Sequence, residues 1–265
     1  MSEDHVIGQK KDNIYYLTLN RPAKRNAMPF EMLPAICEQV EERILDPEIR
    51  VIVIKGEGKV FSAGVDFTSL GSLIGRWTGD QAAGGAMIRA DIAKYQQFLN
   101  RIEAIEIPVI CAMHGAVFGM ALELALACDI RIAAEGTMLG LPETRLGMIP
   151  DVGGTTRLTR LVGPGRAKEL IFTGRQFDAA YAERWGIVNH VVPADELAAK
   201  GEALAAEISL AAPLAVGMAK RVIDGLADVD RGLQLEGWAQ SQLFSTEDFM
   251  EGAQSFMMKR PSQWQ

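Results

Sequence analysis

Along the chain, short apolar runs stopped by glycine or proline alternate with longer stretches in which apolar positions recur every three or four residues. "NIYYLTLN" (13–20) is rich in β-branched and aromatic residues and ends at Arg21-Pro22, which predicts a strand closed by a turn. "RVIVIKGEG" (50–58) and "PVICAMHG" (108–115) read as buried strands. Helical periodicity fills the intervals at 29–45, with Pro29 near its first turn, and at 80–106 after a Gly-Asp pair. A further unit follows residue 115: "GMALELALACD" as helix, "IRIAA" and "TMLGL" as strands, "GTTRLTRLV" as a short helix. From 164 onward the period is helical almost throughout, including "ADELAAKGEALAAEISL", "PLAVGMAKRVIDGLA" and "GLQLEGWAQSQLFS", with "IVNHVV" the one interruption. The pattern predicts an α/β body and a helical C-terminal third that pack as one unit or dock across subunits.

The 265 residues are 48% hydrophobic and 23% charged, enough to bury a large core. A net charge of −7 provides no basic footprint for nucleic acid or acidic lipid, so a polyanionic ligand needs a local basic cluster. Cys37, Cys111 and Cys128 are odd in number, form no CxxC pair and lie in apolar contexts, as reduced core thiols do. The first residues are polar and acidic, and no run approaches the ~18 apolar residues of a membrane span. The expectation is a soluble, cytoplasmic protein without nucleic-acid or membrane partners.

Candidate chemistry collects in three stretches. "FSAGVDF" (61–67) carries an Ala-Gly step of the kind that leaves main-chain N–H groups facing a ligand, or is a plain loop. "HGAVFGMALELALACD" (114–129) opens a central apolar helix whose one acid before Asp129 is Glu123. Glu123 is either a partner of the helix dipole or a proton relay beside free N–H donors. "LGLPETRLGMIPDVGGTTRL" (139–158) sets Glu143 and Asp151 among apolar residues, where an unpartnered carboxylate is costly. Glu143 either pairs with Arg145 or Arg157 or is held for chemistry at a strand end; Asp151 either caps the following helix or joins it. GxSxG, HExxH, GxGxxG and GxxxxGK[ST] are absent, and His5, His114 and His190 lack ligand spacing, so no metal site is expected.

In this order, "LNRPAKRNAM", "VFSAGVDF", "HGAVFGMALELALACDIRIAAE", "LPETRLGMIPDVGGTTRL" and "AERWGIVNHVV" resemble the crotonase (enoyl-CoA hydratase/isomerase) superfamily from about residue 13 to the C-terminus. The resemblance implies a spiral of repeated ββα units over residues 1–195 carrying an acyl-CoA site. It also implies a helical region over 196–265 used for trimerisation, as a homotrimer or a dimer of trimers. Coenzyme A enters as part of the substrate, with no separate cofactor. The oxyanion hole falls on the backbone N–H groups of Val65 and Met120, the latter where many members have glycine. Ala63 matches the main-chain contact to the CoA adenine. Lys24 and Arg25, with Lys259 and Arg260, fall where cations meet CoA phosphates.

Glu123 and Glu143 match the two acids of the hydratases, which would activate water for attack at C3 and protonate C2 of a trans-2-enoyl thioester. Asp151 departs from many hydratases and resembles the dienoyl-CoA isomerases, so double-bond isomerisation is the alternative. An acyl-CoA binding protein without catalysis is the alternative of another class. The segment 68–95 is expected to shape the acyl pocket, with Trp77 lining it or covering the core.

Overall fold

Strand β3 (Val51–Gly56) shows why the central runs of the sequence are apolar throughout. Its Ile52 and Ile54 enter one buried cluster and its Val51 and Val53 another, because successive side chains leave opposite faces and both faces of this sheet are covered. The same division holds in β4 (Val109–Met113), where Cys111 and Met113 face the larger cluster and Ile110 and Ala112 the smaller. The computed structural model describes residues 5–78, 84–226, 240 and 246–264. The helix expected at "GLQLEGWAQSQLFS" therefore lies almost wholly outside the described residues, as does the side chain of Trp77.

Six strands form the main sheet in the order β1-β2-β3-β4-β6-β9, with β1 (Val6–Lys11), β2 (Ile14–Leu19), β6 (Ile130–Ala134) and β9 (His190–Val192). Only β1 is antiparallel to its neighbour. The sequence reading missed β1 because Val6 is its one buried residue; the sign was the turn, where Asp12 at φ 54° and Asn13 join Lys11 to its partner Ile14. A second sheet contains β5 (Ala116–Phe118), β7 (Met138–Gly140) and β8 (Phe177–Asp178). Thus β4, β5 and α4 (Met120–Leu126) make one ββα unit, and β6, β7 and α5 (Gly154–Thr173) the next.

Helix α1 (Met32–Glu42) turns Met32, Leu33, Ile36, Cys37 and Val40 inward, spaced along one helical face, and packs against α3 (Gly84–Ala104). Helix α2 (Phe67–Thr78) precedes α3 in the segment expected to shape a pocket. Within α5 the two expected helices meet at a kink, where Gly163 (φ 76°, ψ 163°) leaves helical geometry just before Pro164. Short α6 (Ala179–Arg184) leads to β9. The opposite face of the main sheet is covered by α7 (Leu197–Ile208) through Leu197, Leu204 and Ala205, so this helix, beyond position 195, packs on the body. Helices α8 (Pro213–Asp224) and α9 (Glu247–Met258) follow, and the Trp264 indole N–H donates to the carbonyl of Leu210 (3.0 Å). Among the described residues no single helix is long and apolar enough to cross a membrane.

Candidate active site

Two turns meet between the sheets. Residues 62–66, after β3, are joined to β5 by the Ser62 N–H on the Ala116 carbonyl (3.1 Å) and the Phe118 N–H on the Ser62 carbonyl (3.3 Å). The Met28 N–H donates to the Gly64 carbonyl (2.8 Å). A trans peptide aims its C=O and N–H in opposite directions, so Val65, the next residue, turns its N–H away from Met28; Val65 also lines a hollow between the two turns. At the start of α4 the Gly119 carbonyl accepts from Leu122 (2.8 Å) and Glu123 (3.0 Å), and the Met120 N–H is left free as a helix terminus leaves it. Among the described residues none accepts a hydrogen bond from either N–H, and both residues line the same hollow. The closeness of the turns demands glycine: a Cβ on Gly64, at φ 97°, would lie 2.6 Å from the Phe118 carbonyl oxygen.

The three acids line that hollow too. Glu123, in the first turn of α4, is only 2% exposed, and its Oε1 accepts from the N–H groups of Val152 (2.9 Å) and Gly154 (2.8 Å). Burial raises its carboxyl to about 8; the Gly154 and Val152 donors oppose the rise, and the charges of Glu143 and Asp151 add to it. Glu143 opens a 3-10 helix (Glu143–Leu146) after β7, and its Oε2 is buried without a hydrogen-bond partner among the described residues. Burial, with a smaller push from Asp151, raises it to about 7.

The plain structural roles are taken by other groups. Arg157 pairs with Glu103 (2.8 Å) and Arg145 donates to the Thr173 carbonyl (2.7 Å), which leaves Glu143 without either. Helix α5 is preceded by Gly153 and has no side-chain cap, so Asp151 does not cap it. Burial raises the Asp151 carboxyl above its ordinary value. Its main-chain carbonyl accepts from Gln96 Nε2 (2.6 Å), which ties α3 to the acids.

The rest of the hollow, about 120 Å³ in volume, is apolar: Leu70 and Leu73 of α2 are buried, and Phe30 stacks on Tyr95 of α3 with ring centroids 4.6 Å apart. Phe67, Leu146 and Ile149 are exposed at its edge. Two wider grooves, one passing Ile49 and Leu214 and the other Asp129 and Lys220, contain none of the three acids and neither N–H donor. Among the described residues no cluster of His, Cys, Asp and Glu is placed to hold a metal ion.

Ala63 lines the hollow, and its N–H donates to the Arg25 carbonyl (2.9 Å), which brings Lys24 and Arg25 beside the site with exposed side chains. Lys259 and Arg260 do not line the hollow of their own chain; Arg260, just beyond α9, is paired with Glu251 within that helix (2.6 Å). The sequence reading did not foresee the Val152 and Gly154 donors to Glu123 or the Phe30–Tyr95 stack. For the donors the sign was the Gly153-Gly154 pair, since a Cβ on Gly154 would lie 2.9 Å from Glu123 Oε1.

Residues 9–265 match the family model for enoyl-CoA hydratase/isomerase. YngF of Bacillus subtilis is 40% identical over 263 residues, covering 98% of this chain and 97% of its own. A crotonyl-CoA hydratase of Syntrophomonas wolfei is 36% identical with the same coverage. The crystal structure of an enoyl-CoA hydratase from Bacillus anthracis superposes with a TM-score of 0.90 at 34% identity, over 98% of this chain and 99% of that one. The chain belongs to the enoyl-CoA hydratase/isomerase family, the crotonase superfamily.

Proposed function

We propose that this enzyme adds water across the double bond of trans-2-enoyl-CoA thioesters. The observation that carries the reading is the lining of one hollow by two unpartnered main-chain N–H groups and by two carboxyls, one buried and one half-buried, raised to about 8 and about 7. The thioester oxygen would accept from the Val65 and Met120 N–H groups. A water oxygen bonds to C3 as the π pair of C2=C3 shifts toward C2 and the carbonyl, and the two donors meet the charge that collects on oxygen. Glu123, its Oε1 held by Val152 and Gly154, takes the proton released by the water; Glu143 gives a proton to C2. The pair works with one proton between them; the reactive arrangement has it on Glu143, and because Glu123 is the more strongly raised of the two this is the less populated arrangement, which transfer from Glu123 to Glu143 restores after each turnover.

Coenzyme A is then part of the substrate, with Ala63, Lys24 and Arg25 at its adenine and phosphates; Lys259 and Arg260 would come from a neighbouring subunit. A homotrimer or dimer of trimers belongs to the same proposal, supported by exposed Leu161, Ile223 and Leu226 around the helical end. A cytoplasmic site of action is supported by three free, buried cysteines.

A specific observation favours isomerisation as the second reading: Asp151 lines the hollow, is raised by burial and does not cap α5. The test is loss of conjugated absorbance from trans-2-enoyl-CoA beside turnover of a 3,5-dienoyl-CoA. Glu143→Gln is expected to cost hydration about 10²- to 10⁴-fold, and Asp151→Asn to leave hydration within about threefold while abolishing dienoyl turnover. Thioester binding with no turnover and no proton exchange at C2 in deuterated water would overturn both in favour of a binding protein.

A further inference from the structure

The motif "KRNAM" is absorbed only in part by coenzyme A: Asn26, in its middle, has 0% exposure and a left-handed backbone (φ 52°) that Asn tolerates better than most residues. Its side chain holds three main-chain groups. Oδ1 accepts from the Arg21 N–H (2.7 Å), and Nδ2 donates to the carbonyls of Glu57 (2.8 Å) and Val60 (2.9 Å). Its own carbonyl accepts from the Ser62 hydroxyl (2.7 Å), and that same hydroxyl accepts from the Gly64 N–H (3.1 Å). Ser62 is also wholly buried.

Segment 25–28, fixed by Asn26, holds the turn at three further points: Ala63 N–H to Arg25 carbonyl (2.9 Å), Met28 N–H to Gly64 carbonyl (2.8 Å) and Asp66 N–H to Met28 carbonyl (2.9 Å). Each of the peptide planes on either side of the Val65 donor is therefore bonded, and the Ala63–Gly64 plane is held by Ser62 alone. No helix orients this N–H as α4 orients that of Met120. Because Ser62 is also bonded to β5 through its own main chain, it bears on the spacing of both donors.

We propose that Asn26 and Ser62 are positioning residues for the oxyanion hole, with the buried relay from the Asn26 carbonyl through the Ser62 hydroxyl to the Gly64 N–H aiming the Val65 N–H at the thioester oxygen. The inference rests on the enoyl thioester reading. Without the hydroxyl, Gly64 has a buried donor with no acceptor, and its peptide plane is free to turn. Misplacement of a donor by a fraction of an ångström lowers stabilisation of the charged state more than binding of the neutral thioester.

The test uses the full chain with trans-2-enoyl-CoA and with a 3-arylacryloyl-CoA, whose absorbance moves to longer wavelength when its carbonyl is polarised. Ser62→Ala is expected to lower kcat about 10- to 100-fold with KM within about twofold, and to lose most of the red shift of the bound arylacryloyl thioester. Ser62→Cys, similar in size with a weaker acceptor, is expected to fall between, and serves alone if the alanine variant does not fold. Wild-type kcat and wild-type red shift in the folded variant would overturn the relay. Absence of both turnover and red shift in the wild-type chain would instead overturn the thioester reading, and the relay with it.

Discussion

The two turns that supply the N–H donors reach the same end by different means. At 119–123 the donor comes from secondary structure: Gly119 is bonded to Gly140 of β7 (2.9 Å), α4 begins, and the first N–H of a helix is free by construction. At 62–66 nothing repetitive orients the donor, and the turn is held by long-range bonds to residues 25–28 and to β5. A helix terminus tolerates changes around it, whereas a braced loop depends on each brace. The difference also decides which glycine matters more.

Among changes to the two turns, Gly64→Ala should have the largest effect. The obstacle to its Cβ is main chain, the Phe118 oxygen at 2.6 Å, and φ is 97°, so the two turns must separate. We expect kcat/KM to fall about 10³-fold with a loss of about 2 kcal/mol in stability, measured by kinetics and denaturant titration; near-wild-type values would remove the contrast between the turns.

Glu123→Gln asks what the helical turn carries besides its donor. A carboxyl raised from 4.5 to about 8 binds more protons folded than unfolded between those values. Its contribution to stability is thus complete below about 4.5 and is lost as pH rises toward 8. Glutamine has no such loss, so the variant should gain on the wild type between pH 5 and pH 8 by on the order of 3 kcal/mol; a pH-independent difference would mean that Glu123 is not a desolvated acid.

Gly119→Ala sharpens the comparison from the other side. Here φ is 53° and the obstacle is a side-chain atom, Glu143 Oε1 at 2.9 Å, which can turn away. With ψ at −127° this backbone lies outside the left-handed helical region and suits glycine, so the expected cost is about 2 kcal/mol in stability and about 10²-fold in kcat, the second because the acid is displaced. The smallest effect belongs to Tyr95→Ala, which leaves both turns alone and removes one ring of the stack closing the hollow. Its kcat/KM for acyl chains longer by a few carbons should rise about tenfold relative to short ones.

What the sequence conveyed follows from how each feature is encoded. The central strands and α4 were legible because their apolar character is local and continuous. Strand β1 was not, since Val6 is its one buried residue, whereas the break that Gly163-Pro164 signals is present as a kink dividing α5. Glu123, Glu143 and Asp151 stood out as acids in apolar surroundings, and the hollow unites them. The holders of those acids were hidden: Val152 and Gly154 act through main-chain N–H groups some thirty residues from Glu123 (29 and 31), and side-chain identity does not encode such donors. The structure also directs Arg260 to Glu251, an ion pair that a basic motif cannot announce.

The most direct measurement is a crystal structure of the enzyme with a 3-ketoacyl-CoA analogue bound. The account predicts its thioester oxygen about 2.7–3.1 Å from the main-chain nitrogens of both Val65 and Met120, with the carboxyls of Glu123 and Glu143 over the carbons beyond. A thioester oxygen bonded elsewhere, or to one of the two nitrogens alone, would contradict it.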